Sequence, residues 1–119
     1  HLVWQIHDLN GKETVQGSFL KYTAHAFKKW LKANDVDFLK LFVVKAANKS
    51  YEFWQRDSLA FELTQRATAI QKIEYMHNNP VAKHWNLAAT RENYKYSSAQ
   101  FYYTGDNDFG FLQHIMLVI

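Results

Sequence analysis

The chain contains no cysteine, so its fold uses no disulfide bond and no zinc site built from thiolates. Hydrophobic residues make up 48% of its 119 residues and aromatic residues 17%, which is enough for a core and richer than a disordered tail. Four glycines and one proline leave no obvious linker. We therefore expect residues 1–119 to form a single domain.

Apolar residues recur at helical spacing over residues 18–33 and predict the first helix. Ser18 is the expected N-cap, because its hydroxyl can accept from free backbone N–H groups. The residues expected to face the core are Leu20, Phe27, Trp30 and Leu31.

A second helix is predicted over residues 68–78. Pro80 ends it, since proline disfavours a helical conformation in the residue before it. The residues expected on its buried face are Ile70, Ile73 and His77.

Other segments are shorter. Residues 2–6 are apolar and followed by turn formers, which indicates a strand. Residues 38–44 fit either a strand or a short helix. We expect a strand over residues 53–55 and a second extended piece over residues 59–63. Residues 94–103 suggest a loop leading into a short helix that covers the core.

Positive charge lies along one stripe of the first helix. The formal net charge is +3 and the isoelectric point about 9.1, which mildly favours an anionic partner such as nucleic acid. The residues of the stripe are Lys21, His25, Lys28 and Lys32. They fit an ordinary solvated helix face, which is the commoner origin of such a stripe, and they also fit a track for phosphate groups.

Three polar side chains of different chemistry are expected on one side of the second helix. Tyr75 and Asn79 are four residues apart, and Lys72 precedes Tyr75 by three. A tyrosine oxygen can attack phosphorus, a hard cation accepts an amide oxygen, and an ammonium group suits phosphate. The same tyrosine also fits an ordinary core or rim position.

The histidines form no helical metal-binding pair, and most fit surface or core positions. His1 differs because it opens an apolar segment, and a residue two positions before it in a strand would face the same side. Phosphate-binding loops, dinucleotide fingerprints and hydrolase nucleophile elbows are not found.

Taken in order, several segments resemble one family. HLVWQI is similar to the strand that bears the second histidine of a His-hydrophobic-His motif, and FWQRDS is similar to a Trp-Gln-Arg segment. KIEYMHNNPVAKHW resembles a tyrosine-bearing helix, and KYSSAQFY resembles a C-terminal motif that follows it. Together these segments resemble the REP-associated tyrosine transposases, single-tyrosine members of the HUH endonucleases.

The resemblance implies an α+β, ferredoxin-like fold with an antiparallel sheet and helices packed on one face. It implies that Tyr75 attacks single-stranded or hairpin DNA, leaving a 5′-phosphotyrosine and a free 3′-hydroxyl. A divalent metal, Mg²⁺ or Mn²⁺, would be bound by His1 and Asn79. The residues expected to contact DNA are Lys21, Lys28, Lys32, Arg56 and Lys72.

Some family features are not found in the sequence. The first histidine and the preceding elements are missing, so we expect an N-terminal part upstream of His1. The alternatives are a module that binds hairpin DNA without cutting it and a decayed remnant. No membrane segment is visible, and we expect a cytoplasmic monomer or homodimer.

Overall fold

The computed structural model describes residues 1–8, 11–55 and 58–119. These residues form four α-helices, two short 3₁₀ helices and one two-stranded antiparallel sheet, which is an α+β composition. The chain divides into two compact units. The tyrosine unit consists of His1–Gln5 and Phe61–Ile119, and the hairpin unit is Ile6–Ala60. The single domain expected from chain length stays a prediction.

The hairpin unit begins with helix α1, Val15–Asn34. Its N-cap is Thr14, whose hydroxyl accepts the backbone N–H of Gly17 at 3.0 Å. The predicted helix is confirmed, but Ser18 is not its N-cap. Thr14 has the extended backbone of an N-cap residue, whereas Ser18 already donates its own backbone N–H to the Thr14 carbonyl.

The expected core face of α1 is only partly buried. Leu31 is 8% exposed, as predicted, and Leu20 is half-buried. Phe27 and Trp30 were expected in the core, but they are 44% and 61% exposed. Phe27 contacts the rings of Phe53 and Trp54, at 6.0 Å and 5.8 Å between centroids, but these contacts cover only part of its side chain.

The next elements are helix α2, Val36–Lys40, and strand β1, Val43–Ala46. Residues 38–44, which fitted either a strand or a short helix, contribute to both. Strand β2, Lys49–Tyr51, pairs antiparallel with β1. Val43 lies opposite Tyr51 and Ala46 lies opposite Lys49, and the register is irregular between these two pairs. The strand predicted over residues 53–55 is wrong, because the pairing ends at Tyr51.

The tyrosine unit is built around helix α3, Arg66–Asn78. A 3₁₀ helix, Asn79–Val81, follows at once and contains the buried Pro80, so the predicted helix and its stop are both confirmed. The core of the unit consists of Ala69, Ile73 and Ile115, at 0%, 7% and 7% exposure.

Partly buried residues complete this core: Val3, Leu63, Tyr102 and Val118. On α3, the expected burial of Ile73 is confirmed, whereas Ile70 is 39% exposed. Residues 1–7 lie outside any strand, so the strand predicted over residues 2–6 is wrong. The segment is held instead by its side chains, since Val3 packs against the core.

Helix α4, Ala99–Thr104, confirms the predicted short helix over the core. Ala99 is 3% exposed, and Tyr102 packs against the cluster of Ala69, Ile73 and Ile115. Gly105 ends the helix at φ +84°, a left-handed conformation that side chains other than glycine rarely adopt. A second 3₁₀ helix, Ile115–Leu117, brings Ile115 into the core.

Candidate functional site

The candidate site is the exposed surface of the tyrosine unit where His1 meets Tyr75. The two ring centroids are 5.6 Å apart, and the planes meet at 72° in an edge-to-face contact. Tyr75 is 56% exposed, so its hydroxyl-bearing ring is open to a ligand in solution. Two residues that are far apart in the sequence therefore meet on the surface of one unit.

Helix α3 sets the direction of Tyr75. Its buried stripe runs through Ala69, Ile73 and His77, which are spaced four residues apart. Tyr75 lies midway between Ile73 and His77 in sequence, about half a turn around the helix from each. Burial of the stripe therefore fixes Tyr75 on the opposite, solvent-facing side.

Asn79 stands one turn after Tyr75. It is half-buried, has helical backbone angles, and its backbone N–H donates to the Tyr75 carbonyl. The position thus continues the helical spacing expected for a second ligand on the Tyr75 side. The hydrogen bond from the Asn79 backbone N–H to the Tyr75 carbonyl stabilises the last turn of α3.

Lys72 is engaged within its own unit. Its ammonium lies over the Phe61 ring, 5.4 Å from the centroid, in a cation–π contact. The side chain is half-buried, because Phe61 takes up part of its surface. Lys72 lies one turn before Tyr75 on α3.

The carboxylate next to Tyr75 is paired with an arginine, which a second carboxylate shares. Glu74 accepts from the Arg91 guanidinium at 2.6 Å, and Arg91 also donates to Glu92 at 3.0 Å. Hydrogen bonding to Glu74 and then to Glu92 raises the pKa of Arg91 above its ordinary value. A phosphate approaching Tyr75 therefore meets Glu74 already paired with a cation.

His77 anchors the opposite side of α3. It is 2% exposed, its Nε2 lies 2.9 Å from the Ser98 hydroxyl, and its ring meets the Tyr102 ring edge-on at 5.0 Å. Burial lowers the pKa of His77, and the charge of Glu74 partly opposes that shift. Its expected place in the core is confirmed.

The hydrogen bond between His77 and Ser98 was not foreseen from the sequence. The only available signal was the motif that carries both serines, KYSSAQFY, which follows the tyrosine helix in the family order. The bond ties α3 to the start of α4.

The other residues predicted to contact DNA lie in the hairpin unit. Lys21, Lys28 and Lys32 are all exposed on α1. Lys21 is 3.6 Å from Glu13, and the Lys28 ammonium lies 4.9 Å from the centroid of the Tyr51 ring. Arg56 lies outside the described residues.

The described residues do not by themselves complete a metal site. His1 offers one imidazole and Asn79 one amide oxygen, but nowhere in residues 1–8, 11–55 and 58–119 do three His, Cys, Asp or Glu side chains gather as metal ligands. A divalent ion held by protein side chains would need further donors beside His1.

The chain matches no protein-family model, no curated protein and no solved structure at a significant level. In the described part of the chain, none of the helices combines the length and the apolar character needed to cross a membrane.

Proposed function

We propose that this chain is the catalytic domain of a single-tyrosine transposase of the HUH endonuclease class, acting on single-stranded or hairpin DNA. The observation that supports it best is the contact between His1 and the exposed Tyr75 at 5.6 Å between ring centroids. The resemblance requires these two residues to share one site although they are 74 positions apart in the sequence. The ferredoxin-like arrangement and the cytoplasmic location belong to the same proposal.

The covalent step is a transesterification at phosphorus. The Tyr75 oxygen forms a bond to the phosphorus while the bond from phosphorus to the 3′-oxygen breaks. The phenolic proton leaves to solvent, and the departing 3′-oxygen takes up a proton to become a hydroxyl. The DNA fragment on the 3′ side of the break is then joined to Tyr75 through its 5′-phosphate, and attack by another 3′-hydroxyl on this phosphotyrosine releases Tyr75 and rejoins a strand.

The surroundings of Tyr75 suit this step in charge and in position. The buried stripe of α3 holds the ring on the solvent side, where DNA can reach it. Pairing with Arg91, which Glu92 shares, offsets part of the charge of Glu74, and Lys72 adds a cation one turn away. Bound metal would supply electrophilic assistance to the phosphate, and His1 and Asn79 are the described residues that would help to hold it.

A second candidate is a module that binds hairpin DNA without cutting it. The observation that favours it is the incomplete donor set, one imidazole and one amide oxygen, in the described part of the chain. Binding of this kind would depend on salt and would be indifferent to EDTA.

The test is incubation with a labelled single-stranded hairpin oligonucleotide and Mn²⁺, followed by denaturing gel electrophoresis. We expect a covalent protein–DNA adduct that is lost in Tyr75→Phe, since that change keeps the ring and removes the attacking oxygen. The matched control is Tyr103→Phe, because Tyr103 is also an exposed tyrosine of the same unit, at 77% exposure. An adduct that survives in Tyr75→Phe overturns the assignment of the nucleophile. Salt-sensitive binding without any adduct, unchanged by EDTA, favours the binding module.

A further inference from the structure

The hairpin unit carries an open apolar groove that the proposed chemistry leaves unused. Its volume is about 340 Å³, and its lining residues are Phe27, Trp30, Leu31, Phe38, Phe42 and Phe53. We call it the aromatic groove. All of its lining side chains are apolar, and five of the six are aromatic.

Ring contacts hold the floor of the aromatic groove together. Phe42 and Phe53 stack with centroids 4.7 Å apart, and Phe38 meets Phe42 edge-on at 5.5 Å. Phe27 contacts Phe53 at 6.0 Å. The rings support one another before any ligand arrives, so stacking on them requires little reordering.

The walls of the aromatic groove face solvent. Trp30 is 61% exposed, Phe38 49% and Phe27 44%. Large apolar side chains clustered in this way are typical of binding sites, whereas single exposed ones need no explanation. The faces of these rings are available to another flat apolar group.

A cation stands at the rim. The Lys28 ammonium lies 4.9 Å from the centroid of the Tyr51 ring, and that ring stacks on Phe53 of the groove at 6.4 Å. Lys32 is exposed one turn further along α1. Neither lysine forms an ion pair with a carboxylate of the described residues.

We infer that the aromatic groove binds unpaired bases of single-stranded DNA, with Lys28 and Lys32 contacting the phosphates that link them. This inference rests on the proposed function and names a surface that holds the single-stranded DNA. Bases stack on exposed aromatic side chains with little regard to sequence, and lysines at the rim neutralise the backbone.

The charge of the surface selects this occupant over the alternatives. An apolar peptide would fill the groove and leave Lys28 at the rim, and Lys32 one turn further along α1, without an anion. A second copy of the chain would bring a net charge of +3 toward the same lysines. Each nucleotide of a DNA strand carries a flat base and a phosphate. The bases can therefore stack on the rings of the groove while the phosphates meet the lysines.

The experiment compares two labelled oligonucleotides by fluorescence anisotropy in EDTA, with the full chain carrying Tyr75→Phe. One is a thymidine decamer, and the other is an abasic strand with the same number of phosphates. We expect the thymidine strand to bind at least tenfold more tightly than the abasic strand. Trp30→Leu and Phe38→Leu should each weaken thymidine binding about tenfold, the size of one lost stacking contact, and leave abasic binding unchanged.

Lys28→Gln should weaken binding of both strands and reduce the salt dependence, because a phosphate contact is independent of the base. The matched controls lie in the tyrosine unit. Trp85 is an exposed tryptophan at 58%, and Lys95 has its ammonium 5.8 Å from the Tyr96 ring centroid. Trp85→Leu and Lys95→Gln should bind like the parent protein.

Equal binding of the thymidine and abasic strands overturns the inference, as does absence of binding by the parent chain. So do Trp30→Leu and Phe38→Leu variants that are folded by circular dichroism and bind normally. Sedimentation that shows a dimer, dissociated by Trp30→Leu and unaffected by the oligonucleotide, assigns the groove to self-association and also overturns it. Because this assay needs neither metal nor Tyr75, it can fail while the covalent adduct forms, and succeed while the adduct is absent.

Discussion

The imidazole of His1 stands edge-on to the phenol ring of Tyr75, with ring centroids 5.6 Å apart. His1 is exposed, and Tyr75 is 56% exposed. The contact therefore lies at a surface, where it adds little to the stability of the fold. A role in chemistry at Tyr75 should accordingly be separable from a role in folding.

We predict that His1→Ala lowers the rate of covalent adduct formation by at least about 10- to 100-fold, the range seen when an outer partner of a metal ligand is removed, because His1 would be a ligand itself. More Mn²⁺ should be needed for half-maximal rate, because an imidazole donor has been removed. The free energy of unfolding should stay within about 0.5 kcal/mol, as is usual for exposed positions. Gel quantification across a Mn²⁺ titration measures the first two, and urea denaturation the third.

His84→Ala is the matched control for this change. His84 is also exposed and contacts an aromatic ring, that of Trp85, at 5.3 Å between centroids. His84→Ala should leave both the rate of adduct formation and the Mn²⁺ requirement unchanged. A normal adduct rate in His1→Ala would remove His1 from the site and leave Tyr75 to be supported by other residues.

The tyrosine helix is the part of the molecule that the sequence predicted best. The helical spacing of its apolar residues predicted that Ile73 and His77 are buried, and Pro80 predicted its end. Both signals are local, because the spacing of apolar residues and the restricted backbone before proline act within a few positions. The exposure of Tyr75 follows from the same period.

Features that depend on distant partners were predicted less well. The strand expected over residues 2–6 does not form, because an apolar segment becomes a strand only when another segment pairs with it. Phe27 and Trp30 have core-like spacing but lie at the surface, since the spacing names a face without saying what covers it. The bond between His77 and Ser98 joins residues 21 positions apart and has no local pattern.

A pair of residues in the last 3₁₀ helix tests where the core of the tyrosine unit lies. Ile115 is 7% exposed and packs with Ala69 and Ile73, whereas Leu117, two positions on, is 81% exposed. Ile115→Ala should lower the free energy of unfolding by about 2–4 kcal/mol, from lost burial and the cavity left behind. Leu117→Ala should change it by less than about 0.5 kcal/mol. Equal effects in urea denaturation would contradict the described core.

Removing the partner of the buried histidine should also be costly. Ser98→Ala leaves His77 Nε2 buried without its hydrogen bond, and we expect a loss of about 1–3 kcal/mol in the free energy of unfolding. Ser98→Thr keeps the hydroxyl and should restore most of that loss. The Ser98 side chain makes no N-cap hydrogen bond to α4, so the loss reports on His77 and not on the helix end. A Ser98→Ala protein as stable as the parent would show that the bond contributes nothing.

Acid should destabilise the protein partly through His77, because burial lowers its pKa below the ordinary value of 6.5. The charges of Glu74 and Glu92 oppose this shift and that of Arg91 adds to it, but burial is the largest cause. Between the lowered pKa and about 6.5, the unfolded chain binds more protons at this residue than the folded chain, so stability rises with pH across that window. Above about 6.5 the contribution is complete, and it is lost as the pH falls toward the lowered value.

We therefore expect His77→Gln to flatten the dependence of the free energy of unfolding on pH below about 6.5, because glutamine does not titrate. The matched control is His25→Gln, since His25 is exposed on α1. That variant should keep the slope of the parent protein. Urea denaturation in EDTA at a series of pH values measures the slope without interference from metal binding. If His77→Gln kept the full parental slope while His25→Gln lost it, the acid sensitivity would belong to a surface histidine, and the buried ring would be uninvolved.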